Sequence, residues 1–371
     1  MNPPGPAQPG RTRPRRTVWL LALALLAGGC LAPRPFDEAA WRRQVAAQDP
    51  AALMAPHYDP ATGEYFNPWL RQDRAWSDLW RWLLSANSTP AGTPDQGAPV
   101  VANSGDYLAD PAAPPSLTWI GHATYALQWG GPVVVTDPFF GPRAAIVSRR
   151  TPPAFGPEKI PTGAVALISH NHYDHLDSDS VAALGSRVRF LCPLGLAGLL
   201  KDTGAKDIRE LDWWQSVEID GTRFTCLPAQ HWSRRFGQGV NQSLWCAWLV
   251  ERDGRKVFYG ADSGYFVGFK EFGRRWPGID IALMPVGAYL PRWFMHYAHM
   301  DPAEVMAASV DLGAKVVAPT QWGVLKLGDE PAAWPAAALA QAAQARPDWR
   351  GLLAVMPVGG RIHLDGRPFA P

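Results

Sequence analysis

From residue 116 to the C-terminus the chain alternates short apolar runs with turn residues, and the spacing of its apolar positions switches between the strand period and the helix period. The runs 117–120, 125–129 and 133–136 predict three consecutive strands in a meander. Residues 164–169 follow as an apolar run bounded by Gly163 and a polar cluster, which predicts a buried strand. Helices are then predicted at 178–184, 194–201, 267–275, 302–312 and 332–345. Further strands are predicted at 187–191, 207–211, 222–228, 243–251, 255–260, 279–284 and 314–319. Many strands with interspersed helices predict the α/β class, with two sheets covered by helices in one domain spanning 116–371.

Upstream the pattern is different. Residues 30–115 show no clear strand alternation and are expected to form an N-terminal arm, with the Pro-, Ala-, Gly- and Ser-rich stretch 86–115 as a linker or wrapping segment. Within the arm, Trp76, Leu79, Trp80, Leu83 and Leu84 have helical spacing. This helix either packs on the core or lies at a bilayer surface, where Trp is favoured. Residues 1–29 have the form of a secretory signal peptide: Arg11, Arg13, Arg15 and Arg16, then the apolar stretch Val18 to Leu26, then small residues. The apolar stretch is shorter than the ~20 residues a membrane span needs. Leu26-Ala27-Gly28-Gly29-Cys30 resembles a bacterial lipobox, which implies that Cys30 is lipidated and begins the mature chain. Leu31 after it favours outer-membrane sorting, so the expected location is the bacterial cell envelope, lipid-anchored on the periplasmic face.

Composition adds limits. A hydrophobic share of 47% and a charged share of 18% describe a globular protein with a sizeable core, in which 18 Trp is an excess to be accounted for. The net charge of +2 becomes −2 when the four leader arginines are removed, and nothing in it suggests a nucleic-acid partner. Beyond Cys30, the three residues Cys192, Cys226 and Cys246 cannot make a disulfide framework. Cys226 and Cys246 sit in strand-like runs and are expected as buried thiols, a single disulfide being the alternative in an oxidising compartment.

The chemistry concentrates after the run 164–168, in Ser169-His170-Asn171-His172-Tyr173-Asp174-His175-Leu176-Asp177. Three imidazoles and two carboxylates at the C-terminal end of a buried strand suit zinc and related divalent ions. Two further strand ends supply partners: Gln230-His231-Trp232 after one, and Gly260-Ala261-Asp262-Ser263 after another. His170, His172 and His231 are expected to hold one ion and Asp174 and His175 a second. Asp262 would join them, because a carboxylate has two oxygens and an imidazole cannot bridge. His57 and His296 lie in no motif and are expected at the surface.

The His-x-His-x-Asp-His pattern with a distant His and Asp resembles the metallo-β-lactamase superfamily. Five longer blocks are similar to its N-acyl-phosphatidylethanolamine-hydrolysing phospholipases D: Thr118 to Thr124, Ile168 to Asp177, Glu210 to Trp214, Gln230 to Trp232, and Pro285 to Met295. The resemblance spans about residues 115–330. It implies a four-layer αβ/βα sandwich, two Zn²⁺ in a cleft, and hydrolysis of a membrane glycerophospholipid to phosphatidic acid and an N-acylethanolamine by a metal-bound hydroxide. It also implies catalytic roles for Asp174 and for His299 near the phosphate, and a supporting role for His122 beside the metal loop. One position departs from the pattern. Gln321 in Thr320-Gln321-Trp322-Gly323 stands where the family has its last histidine ligand. An amide is a poorer zinc ligand, so the second site is expected to bind weakly or to take another divalent metal. The alternative functions are a same-fold hydrolase of a lactone or small phosphodiester, and a catalytically impaired metal-binding lipoprotein.

Overall fold

Two seven-stranded sheets carry the structure. The computed structural model describes residues 33–72, 76–85, 88–89 and 93–369; residues 1–29, expected as a signal peptide, and Cys30 lie outside them. The first sheet has the spatial order Asp207–Leu211, Arg189–Pro193, Val165–Leu167, Val134–Thr136, Thr124–Gln128, Ser116–Gly121, Arg361–His363. Its first four strands are parallel and the rest antiparallel. The second has the order Ser216–Ile219, Thr222–Leu227, Ala247–Arg252, Arg255–Tyr259, Ile281–Pro285, Val316–Thr320, Leu352–Leu353, antiparallel at first and parallel from Arg255–Tyr259 on.

Period-two alternation explains the layering. Val165 and Leu167 join Trp119, Trp248 and Tyr259 in the core between the sheets. Ala164, Ala166 and Ile168 point the other way, into a second core with Val181 and Leu184 of the helix Ser178–Leu184. Both faces of this strand are therefore apolar, as in sheets covered on both sides. On the far side of the second sheet, Phe269 and Phe272 of Gly268–Arg275 and Val305 and Met306 of Pro302–Asp311 close the core. The result is the expected four-layer sandwich. Pro302–Asp311 begins at a capping box of Asp301 with Glu304.

Several features go beyond the expected elements. Among the described residues, 37–72, 88–89 and 93–369 form one unit, and 33–36 with 76–85 another. Within the first of these, the segment read as an arm contains the helix Glu38–Ala46 and places Trp41, Leu53, Asn67 and Trp69 in buried positions. The stretch read as a linker is also tied down, by Ala98 N–H to Gly323 O at 2.8 Å and Val101 N–H to Val358 O at 2.9 Å. The strand Arg361–His363 returns to the first sheet beside Ser116–Gly121. In the other unit the expected helix forms as Trp76–Leu84, with Asp78 bound to Arg34 at 2.9 Å and Trp80, Leu83 and Leu84 exposed. Cys192, Cys226 and Cys246 are buried free thiols. No helix among the described residues is long and apolar enough to cross a membrane.

Candidate metal centre

Register sets the site. Thr136 pairs with Leu167 in the first sheet, so Asp137 and Ser169-His170 leave their strands at the same edge. In the second sheet His231 follows Thr222–Leu227, Asp262 follows Arg255–Tyr259 and Gln321 follows Val316–Thr320. The chain turns abruptly at these ends: His122, Asp137, Ala261 and Gln321 have φ of 53°, 28°, 51° and 64°. Such left-handed non-glycine residues carry strain that tends to collect at functional sites. Gly264 is needed for a different reason, since a Cβ there would sit 2.0 Å from Tyr297 O.

All six strand-end donors named from the sequence converge. His170 Nε2 lies 2.8 Å from His172 Nδ1, and His231 Nε2 lies 3.2 Å from the same atom. Asp262 Oδ2 is 3.4 Å from His231 Nε2 and 3.7 Å from His170 Nε2. Its other oxygen is 3.2 Å from His175 Nε2, which in turn is 3.3 Å from Asp174 Oδ2. Asp262 therefore faces both groups, one oxygen to each. Ligand atoms of a tetrahedral zinc site, about 2.0–2.1 Å from the ion, lie roughly 3.3 Å from one another. Three of the distances around His231, His170 and Asp262 bracket that value, and the His170–His172 pair is tighter.

The electrostatics suit the same ligand. Burial holds the imidazoles of His170 and His231 well below the usual histidine range and pushes that of His172 down to about 4. Neutral imidazole is the form that ligates. Burial works to raise the carboxyls of Asp174 and Asp262, yet the surrounding histidines together outweigh it, His175 with His122 at Asp174 and His175 with His231 and His299 at Asp262, and both are held well below the usual range. His175 is itself lowered by burial and raised more strongly by Asp262, Asp174 and Asp137. Three carboxylates around one buried point favour positive charge there. The donor set fits divalent cations, most completely at His170, His172, His231 and Asp262.

His122 comes up against the second group, with Nε2 2.9 Å from Asp174 Oδ2, and its Nδ1 is buried without a hydrogen-bond partner among the described residues. Its ligand atom lies close enough to those of Asp174 and His175 for the three to hold an ion, which widens the supporting role expected for it. His299 packs its ring against His231 with centroids 5.3 Å apart. Gln321 reaches the second group but turns its amide nitrogen toward it: Nε2 donates to Asp262 Oδ1 and lies 3.4 Å from His175 Nε2, while Oε1 is buried without a partner among the described residues. The expectation for His57 and His296 does not hold. His57 is half-buried, stacked on Trp213 and bonded to Asp212 at 2.7 Å, and half-buried His296 packs edge-on against Trp41.

The supports were harder to see in the sequence. Asp137 accepts from Ser169 N–H at 2.7 Å and from His175 Nδ1 at 2.6 Å, and its Oδ2 also accepts from Ser169 Oγ and Tyr259 Oη. This fixes which His175 nitrogen faces the cleft. The only hint was a strand-end Asp after 133–136, the same signal that marks Asp262. Asn67, buried in the supposed arm, donates to His231 O at 2.9 Å and to Tyr297 Oη at 2.7 Å, and accepts from Trp245 Nε1 at 3.1 Å. Gln48 and Trp69 both donate to Gln230 Oε1, next to His231. Part of the Trp excess serves the same purpose: the indole N–H groups of Trp119, Trp245 and Trp248 peg His122 O, Ala229 O and Ile168 O at 2.9, 2.8 and 3.1 Å.

Comparison with known proteins adds the family. Residues 133–322 match the beta-lactamase superfamily domain. An uncharacterized protein of Mycobacterium tuberculosis is 34% identical over 259 residues, covering 67% of this chain and 69% of the relative. The N-acyl-phosphatidylethanolamine-hydrolyzing phospholipase D 1 of Caenorhabditis elegans is 35% identical over 229 residues, 57% of this chain and 64% of the relative. Among solved structures, the isothiocyanate hydrolase from Delia radicum gut bacteria superposes with a TM-score of 0.52 at 16% identity, over 67% of this chain and 98% of that one, a likeness of fold alone.

Proposed function

Since the chain belongs to the beta-lactamase superfamily and to its metal-dependent hydrolases, we propose that it hydrolyses a glycerophospholipid of the N-acyl-phosphatidylethanolamine kind to phosphatidic acid and an N-acylethanolamine. The observation that carries this reading is the pair of donor groups joined by Asp262, in a chain 35% identical to a phospholipase D of that specificity. His170, His172, His231 and Asp262 would hold one ion, and Asp174, His175 and Asp262, with Gln321 or His122, a second. Zinc is the metal proposed for the first. Bound there, divalent ions supply Lewis acidity toward phosphate oxygens and lower the pKa of a coordinated water.

The chain's own residues do the rest. Asp262 fixes the separation of the two groups, and His122 and Asp137 hold Asp174 and His175 in place from behind. Asp174 is the carboxylate at the mouth of the second group. His299, beside His231, is placed to hydrogen-bond a phosphate oxygen or to assist the leaving oxygen. Lipidation at Cys30 would keep the enzyme at the cell envelope with its substrate.

Incubation of purified protein with N-acyl-phosphatidylethanolamine tests this. Phosphatidic acid release that disappears in Asp174→Asn supports it. Turnover only of lactones or soluble diesters points to a same-fold hydrolase of another substrate. Absence of turnover with metal bound points to an impaired binding protein.

A further inference from the structure

We propose that the hairpin Arg143–Ser148 and the loop 232–240 form a docking rim that seats this chain on an anionic phospholipid surface, with Ile146 and Phe236 as the inserted side chains. The inference rests on the phospholipid reading above and adds to it how the cleft meets its substrate.

Ile146 occupies the tip between the strands Arg143–Ala144 and Val147–Ser148 and is 92% exposed; Phe236 is 96% exposed. A single exposed apolar residue needs no explanation. These two share an anchor. Gly141 N–H donates to Asp177 Oδ2, and Arg149 Nε, at the far end of the hairpin, donates back to Gly141 O at 2.8 Å. On the other loop, the Arg235 guanidinium donates to Leu176 O at 2.7 Å and to Ser178 Oγ at 2.9 Å. Both loops are thus tied by hydrogen bonds to residues 176–178, directly after His175. The loop 232–240 also starts at the site, because Trp232 packs its ring 4.7 Å from that of His172.

Phe236 is held outward by a fixed backbone. Its N–H donates to Tyr173 Oη at 3.2 Å, while Arg235 lies over the Tyr173 ring at 4.2 Å. Between Tyr173, Trp232, Arg235, Phe236 and Val240 opens a cavity of ≈ 640 Å³, next to His172. Charge selects the partner. Residues 141–150 and 232–240 contain no Asp or Glu; of their five arginines, Arg149 and Arg235 bind backbone carbonyls and Arg150 pairs with Asp95 at 2.8 Å, while Arg143 and Arg234 are exposed beside the two tips. Aromatic and aliphatic tips among cations match the interface of an anionic bilayer, where the ring and the alkyl group leave water and the guanidinium groups meet phosphate.

The test uses the full chain carrying Cys30→Ser, which removes any lipid anchor and leaves Cys192, Cys226 and Cys246 buried. Ile146→Cys and Phe236→Cys are labelled with an environment-sensitive dye and mixed with vesicles of phosphatidylethanolamine and phosphatidylglycerol. Both dyes should brighten and shift to the blue, and less so with phosphatidylcholine vesicles. The double variant Ile146→Ser/Phe236→Ser should lose about tenfold in vesicle partition for each residue while keeping its metal content. Unshifted dyes overturn the proposal, even if N-acyl-phosphatidylethanolamine in detergent is hydrolysed, which would leave the substrate reading intact. Shifted dyes without hydrolysis support docking and sink the substrate reading. A shift that grows with protein concentration in the absence of vesicles identifies a second copy as the occupant and overturns the proposal.

Discussion

Replacing Gln321 by His should convert an unequal pair of metal sites into a matched one. In the present structure the Gln321 amide nitrogen donates to Asp262 Oδ1 and its oxygen has no partner among the described residues. For that oxygen to face an ion beside Asp174 and His175, the amide must turn and give up a hydrogen bond to a buried carboxylate. Bonds to charged groups contribute about 1.5–3 kcal/mol, which corresponds to roughly 10- to 150-fold in affinity. An imidazole at the same place has no such bond to lose and is the better zinc ligand. The backbone should accept the change, because the φ of 64° at Gln321 is one that His tolerates better than most residues. Calorimetric titration of metal-stripped protein with Zn²⁺ gives the measurement. The native chain should show one tight event and a weaker one, and Gln321→His should strengthen only the weaker, by the factor above. Two equally tight ions in the native chain, surviving long dialysis against a chelator, would refute the reasoning.

Three further outcomes follow from the supports. Asp137→Asn removes the negative charge behind His175 and replaces one of the two oxygens that accept from Ser169, Tyr259 and His175 Nδ1–H by an NH2 donor, and should weaken metal binding about 10–100-fold by chelator competition while the fold persists. Asn67→Ala takes the partner of His231 O, while Trp245 Nε1 keeps Ala229 O; urea denaturation should give a loss of roughly 1–3 kcal/mol. Arg292 binds Glu304 at 2.9 Å and Glu38 at 3.3 Å, and Arg292→Leu should destabilise by roughly 3–5 kcal/mol at pH 8. Burial already raises the Glu304 carboxyl above its usual range despite Arg292. A group whose folded pKa is raised binds its proton more tightly when folded, so falling pH favours the folded state. The thermal melting deficit of Arg292→Leu should therefore shrink between pH 8 and pH 5, and a deficit that stays constant would count against this account.

What could be read from the chain was what is local. Period-two runs flanked by turns located the central strands, and His170, His172, Asp174 and His175 were visible because one loop holds all four. His231, Asp262 and Gln321 were legible as polar residues closing apolar runs, helped by their match to a known pattern. The remaining parts depend on residues far apart in sequence. Asp137 reaches His175 from another strand, Asn67 reaches His231 from a segment with no strand pattern, and the indoles of Trp119, Trp245 and Trp248 find carbonyls across and along the sheets. A buried polar side chain must find a partner wherever packing brings one, and nothing in its own neighbourhood names it. The sequence by itself therefore determined the strands, the donors and the metal chemistry they suit. Only the tertiary structure decided which oxygen of Asp262 faces which group, which atom of Gln321 meets them, and that Gln48, Asn67 and Trp69 brace the site, because each depends on how segments distant in the chain close on one another.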